Sequence, residues 1–89
     1  MVKNGSKKGT YNFSLTDRGY QKVFLAGDFS DWKPVAMKKL KGVFSVMAAV
    51  PAGRQQYKFI ADNTWLLDPD NPDRAVSMMG TINSVVAAK

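Results

Sequence analysis

Apolar residues recur at every second position through most of this chain, in short runs separated by turn formers. Tyr11, Phe13 and Leu15 alternate with Asn12, Ser14 and Thr16, a period of two that predicts a strand with one face on a core. Asp17-Arg18-Gly19 reads as a turn. Val23, Leu25 and Gly27 share one face of a second strand, with Phe24 and Ala26 on the other. Lys33-Pro34 ends the loop that follows Trp32, because proline cannot donate to a ladder. Ala36 to Leu40 predicts a weak third strand, and Lys41-Gly42 a tight turn. Val43 to Val50 is strongly β-prone, with Phe44, Val46, Ala48 and Val50 on one face. After the turn Pro51-Ala52-Gly53, the run Gln55 to Ala61 sets Tyr57, Phe59 and Ala61 opposite Lys58 and Ile60. Trp65 to Leu67 predicts a short strand and Ile82 to Ala88 the last one, with the Asx- and proline-rich loop Asp68 to Asp73 between them. About seven short strands and no helical period predict an all-β antiparallel sandwich.

A chain of 89 residues has room for one domain with two packed layers, but not for a deep catalytic cleft as well. The expected division is a flexible basic leader over residues 1–9 and a single domain over residues 10–89. Cysteine and histidine are both absent. That excludes disulfides and thiolate metal sites, and it removes the commonest general base and metal ligand. No cofactor or metal is expected. No apolar run approaches the roughly 20 residues of a membrane span, and the first nine residues lack the hydrophobic stretch of a secretory signal. A cytoplasmic location is expected. The formal charge of +6 is concentrated in two short clusters, Lys3, Lys7 and Lys8 and then Lys38, Lys39 and Lys41. A nucleic-acid surface would interleave basic and aromatic residues, so these lysines fit a solvated face better than a polyanion contact.

The two tryptophans carry the candidate chemistry. Trp32 and Trp65 each lie among turn-forming residues, where an indole is hard to bury completely. An exposed indole face takes the apolar C–H side of a sugar ring out of water and attracts it through the ring quadrupole. If each ring covers about 80 Å² of apolar surface, it contributes on the order of 2 kcal/mol.

Four strings then identify a family. Val23-Phe24-Leu25-Ala26-Gly27-Asp28-Phe29-Ser30-Asp31-Trp32 resembles the "V-x-L-x-G-x-F-N-x-W" signature of glycogen-binding domains. Pro51 to Phe59 resembles "P-x-G-x-x-x-Y-K-F", Asp62 to Pro69 resembles "D-G-x-W-x-x-D-P", and Gly80 to Ser84 resembles "G-x-x-N-S/N". In order and together, these motifs are similar to carbohydrate-binding module family 48. That family includes the domain in the β subunit of AMP-activated protein kinase and the N-terminal domains of branching and debranching enzymes. The match is nearest to the kinase-type domain. The resemblance implies an immunoglobulin-like sandwich and non-catalytic binding of α-1,4-linked glucans (glycogen, starch, maltooligosaccharides, cyclodextrin). Carried over by motif position, the implied carbohydrate-binding residues are Trp32, Trp65, Lys58, Met79, Thr81 and Asn83. Met79 stands where the kinase-type domains have leucine; Asp28 and Ser30 replace small or amide residues, and Asn63 replaces a turn glycine.

Lysine, threonine and asparagine at those positions can serve sugar hydroxyls as donors and, for the latter two, as acceptors. Two stacking faces and a few hydrogen bonds, less the cost of ordering a flexible oligosaccharide, predict dissociation constants of roughly 10 µM to 1 mM. Bland roles stand beside these: Trp32 or Trp65 as packing anchors, Lys58 as a solvated strand residue, Met79 as a gap-filler, Thr81 and Asn83 as turn or strand-edge residues. Three other function classes compete. A glycosidase needs two carboxyl groups flanking the bond, and the only dense acidic group, Asp68, Asp70 and Asp73, sits in a proline-punctuated loop. A docking module for a glucan-processing enzyme or a kinase-like regulator, with little sugar affinity, would have no need of two matched platforms. Nucleic-acid binding would be steeply salt-dependent.

Overall fold

In the computed structural model, which describes residues 1–89, the alternating runs form two antiparallel sheets. The first sheet orders β1 (Val2–Asn4), β2 (Thr10–Thr16), β6 (Val43–Ala49) and β5 (Lys38–Leu40). The second orders β4 (Val35–Ala36), β3 (Val23–Gly27), β7 (Gly53–Ala61), β10 (Ile82–Ala88) and β9 (Arg74–Val76), with β8 (Thr64–Leu66) paired to β7. The immunoglobulin-like all-β sandwich is as expected. No helix is long and apolar enough to cross a membrane.

The strand count is ten, not about seven. The weak strand expected over Ala36 to Leu40 is two strands in different sheets. β4 pairs with β3, β5 pairs with β6, and buried Met37 marks the crossing, its N–H donating to the Val23 carbonyl at 3.0 Å. The segment expected to be a flexible leader contains β1, whose Val2, Lys3 and Asn4 pair with Phe13, Asn12 and Tyr11. An edge strand needs only backbone partners on one side, so its polar composition gave no alternation to read. β9 was hidden in the same way, as three residues directly after a proline-rich loop.

Between the sheets lies an aromatic core. Phe13 meets Tyr57 edge-on at 4.9 Å and stacks on Phe29 at 5.3 Å, while Tyr57 meets Phe59 edge-on at 5.8 Å. These are the offset and edge geometries favoured by the ring quadrupole. Leu25, Phe44 and Val86 belong to the same cluster, with Val46 packed at its margin.

One polar network crosses this core. The Tyr57 hydroxyl donates to Asp68 Oδ2 at 2.7 Å and accepts from Asn71 Nδ2 at 3.0 Å. Asp68 is fully buried; its Oδ1 accepts the Asp70 N–H and the Met1 amino group, and its own N–H donates to Ser84 Oγ at 2.9 Å. A buried carboxylate is tolerated only because its lone pairs are so well used. Burial pushes the Tyr57 phenol far above the ordinary tyrosine range, and neighbouring Asp68 adds to the shift against the opposing Asn71 amide. The neutral phenol is therefore favoured by folding. Unfolded tyrosine titrates near 10, so this stabilisation is complete below about pH 10 and is lost as pH rises toward the higher folded value. Tyr57→Phe is expected to lower stability at pH 7 by about 1–3 kcal/mol, because it strips a donor from a buried carboxylate. In urea unfolding from pH 7 to 11, the gap between Tyr57→Phe and the parent should narrow above pH 10; a gap that stays constant would remove this linkage.

Candidate functional site

The site begins with the length of β7. β3 runs along one edge of it, pairing from Tyr57 to Ala61. The other edge is shared: β10 pairs with Gly53 to Tyr57, and β8 with Phe59 to Ala61. Lys58 lies where the partner changes. Alternation sends Tyr57, Phe59 and Ala61 into the core, so Gln56 and Lys58 stand on the outer face. Trp65 pairs with Ile60 and shares that outer face, while its neighbour Leu66 packs against the core. The β7–β8 turn is Asp62-Asn63, with φ of 48° and 69°. Two left-handed residues in a two-residue hairpin match the strand twist, and Asx side chains tolerate that conformation. Asp62 is held further by accepting the N–H groups of Gln21 and Lys22 at 3.0 and 2.9 Å.

Trp32 reaches the same face from the loop after β3. A 3-10 turn spans Asp28–Ser30, and Asp31 and Trp32 then both take left-handed φ values, 53° and 60°. For an aromatic residue this is uncommon and costs on the order of 1–3 kcal/mol. Several contacts hold the conformation. The Trp32 N–H donates to the Gly27 carbonyl at 2.9 Å, and Ser30 Oγ donates to backbone carbonyls of the loop. Gly27 allows this closure: a Cβ there would lie 2.7 Å from the Gln56 carbonyl oxygen and from the Phe29 ring. Asp28 then fixes the ring itself. Its Oδ1 accepts the Trp32 indole N–H at 3.0 Å, and its Oδ2 accepts the Gln56 N–H at 2.7 Å. The indole is thereby tied to β7.

The two indoles face one groove of about 790 Å³, with ring centroids 6.4 Å apart and planes inclined at 44°. Trp65 is 50% exposed and Trp32 is half-buried. Lys58 lines it from β7, and Met79, Thr81 and Asn83 line it from the β9–β10 hairpin, so all six sequence-derived residues meet in this groove. Ser77 Oγ ties the hairpin by accepting the Met79 and Thr81 N–H groups and bonding the Thr81 hydroxyl at 2.8 Å. Asn83 is buried and donates from Nδ2 to Gln56 Oε1 at 2.8 Å, which leaves its carbonyl oxygen available to a ligand. Four further lining residues, Asp28, Gln56, Ser77 and Met78, were not among the binding residues read from the sequence. Gln56 was legible in principle, because it lies two positions from Lys58 on the same strand. Asp28 and Lys58 are the only charged residues in the lining, so the groove combines apolar faces with hydroxyl-compatible donors and acceptors and carries almost no net charge.

A sequence profile described as the glycogen recognition site of AMP-activated protein kinase matches residues 10–89. The chain belongs to that family. The β-1 subunit of this kinase from Sus scrofa is 32% identical over 71 residues, covering 80% of this chain and 57% of that sequence. The β-2 subunit from Mus musculus is 35% identical over 72 residues, covering 80% and 26%. The chain thus spans between about a quarter and just over half the length of these relatives. Among solved structures, the maltogenic amylase from S. marinus superposes with a TM-score of 0.76 at 23% identity, over 90% of this chain and 13% of that enzyme. This last likeness is one of fold. Within the glycogen-recognition family, the clamp on Trp32 by Asp28 generates a specific expectation. Asp28→Ala should move the Trp32 indole N–H resonance upfield, speed its exchange with water, and lower stability by about 1–2 kcal/mol. An unchanged indole resonance in the ¹H–¹⁵N spectrum would show that the carboxylate does not orient the ring.

Proposed function

We propose that this domain binds α-1,4-linked glucans without catalysis, by stacking glucose rings on Trp32 and Trp65 and hydrogen-bonding their hydroxyls to Lys58, Thr81 and Asn83. The observation that carries the reading is the pair of indoles 6.4 Å apart and inclined at 44°. Successive glucose units of an α-1,4 chain turn relative to one another, so two inclined plates suit them better than a flat platform. Met79, lining the same groove from the β9–β10 hairpin, supplies an adaptable apolar finger for the inside of that curve. The lysine charge serves as a hydroxyl donor, and Asp28 offers spare lone pairs beside Trp32. Membership of the glycogen-recognition family supports the same ligand class.

The lining also separates this reading from nucleic-acid binding. One lysine faced by one aspartate gives no track for phosphates. Elsewhere Lys39 is already paired with Asp17 and holds that carboxyl below the usual range. The similar sequences are β subunits of AMP-activated protein kinase, and by analogy we propose that a glucan-processing enzyme or kinase-like regulator is the partner this domain would bring to its polymer.

Isothermal titration with maltoheptaose tests the proposal. The parent is expected to bind in the 10 µM to 1 mM range, and Trp32→Ala and Trp65→Ala each to weaken binding by about tenfold or more while remaining folded by circular dichroism. The affinity should change less than about twofold between 50 and 500 mM salt, since no phosphate-type charge is neutralised. Full affinity in both tryptophan variants would rule out stacking, and shortened oligosaccharide products would rule out a purely binding role.

A further inference from the structure

The most exposed large apolar side chains of the whole molecule are adjacent and lie on the groove wall. Met78 is 104% exposed and Met79 is 89% exposed, at the tip of the β9–β10 hairpin. The other methionines form a graded series: Met47 is 48% exposed on β6 in the opposite sheet, and Met37 is 8% exposed within the core. Met1, at 38%, is likewise less open than the hairpin pair. Thioether oxidation follows access. The two side chains most open to an oxidant therefore line the same groove as the indoles.

We propose that Met78 and Met79 form a reversible oxidation site that controls glucan affinity, an inference that rests on the glucan reading above. The oxidant is a hydroperoxide. A sulfur lone pair attacks its terminal oxygen, the O–O bond breaks, an S–O bond forms, and the remainder leaves as an alcohol, or as water from hydrogen peroxide. Sulfur loses two electrons and the peroxide gains them. In the reverse step a dithiol reductase takes the oxygen away as water and is left with a disulfide. The modification converts an apolar, flexible finger into a side chain with a strong S–O dipole. Against the C–H face of a sugar that dipole loses its hydration without gaining a partner. The backbone of the tip is held independently, by Ser77 Oγ accepting the Met79 and Thr81 N–H groups and by the Gly80 N–H donating to the Ser77 carbonyl at 2.9 Å. Oxidation accordingly alters the groove surface and leaves the sandwich intact.

The test treats the intact 89-residue chain with hydrogen peroxide, locates added oxygen by peptide mass spectrometry, and titrates β-cyclodextrin before and after. Met78 and Met79 are expected to gain oxygen before Met47 and well before Met37. Affinity should fall by about tenfold and return after treatment with methionine sulfoxide reductases specific for both sulfoxide epimers. A Met78→Leu/Met79→Leu variant, whatever its starting affinity, should keep that affinity through peroxide treatment. The switch is overturned if both sites are oxidised and binding is unchanged, if Met37 or Met47 reacts first, or if the leucine variant loses affinity to the same extent as the parent. Failure of the untreated parent to bind β-cyclodextrin at all overturns the glucan reading together with the switch, whereas binding that peroxide does not weaken overturns the switch alone.

Discussion

The two-residue period of a single strand joins the stability of this domain to its groove. β7 is nine residues long, enough for one face to fill the core and the other to line the site. Tyr57 is locked by its edge-on contact with Phe13 and its bond to Asp68, and Phe59 packs edge-on against Tyr57. Gln56 and Lys58, one residue away from each, inherit that rigidity without being buried by it. A slip of one residue in register would exchange the two sets completely, so the core that makes the fold stable also fixes the position of the groove floor. The other walls are added to this strand: β8 brings Trp65, the loop after β3 brings Trp32, and the β9–β10 hairpin brings Thr81 and Asn83.

The wall made by Trp32 differs in kind from the rest. Trp65 occupies an ordinary outward strand position and costs the backbone nothing. Trp32 sits at positive φ directly after another left-handed residue, a conformation that an isolated chain would leave. Gly27, Ser30 and Asp28 together over-determine it. Strain retained in this way marks a position whose side-chain direction matters more than its local energy. Holding the ring in advance also spares a ligand the cost of ordering it. The domain combines one rigid plate, one clamped plate and a more open apolar hairpin tip.

Much of this was legible in the chain. Long alternating runs such as Tyr11 to Leu15 and Gln55 to Ala61 declare both strand and inward face, because each must bury one side. Turn chemistry at Asp62-Asn63 was equally readable. What escaped was structure held by backbone pairing alone: Val2–Asn4 and Arg74–Val76 are short edge segments whose side chains follow no apolar pattern. The division of Ala36 to Leu40 between two sheets was invisible for a related reason, since a crossing depends on where its neighbours lie. The six site residues were reached through motif order, not through periodicity, and the structure gathers them from four separate segments. Asp28 was noticed as a departure from the family pattern, but its service to both Trp32 and Gln56 depends on contacts across 28 positions of sequence.

Stacking on a preformed indole pair is most directly examined by titrating ¹⁵N-labelled domain with β-cyclodextrin and following the two tryptophan Nε1–H resonances together with the backbone amides. Both indole signals should shift with one common dissociation constant, accompanied by the amides of Lys58, Met79, Thr81 and Asn83, while residues on the outer face of the β1-β2-β6-β5 sheet stay still. Shifts confined to the lysine-rich β5–β6 turn, or saturation of binding with both indole resonances unmoved, would contradict a glucan site built on Trp32 and Trp65.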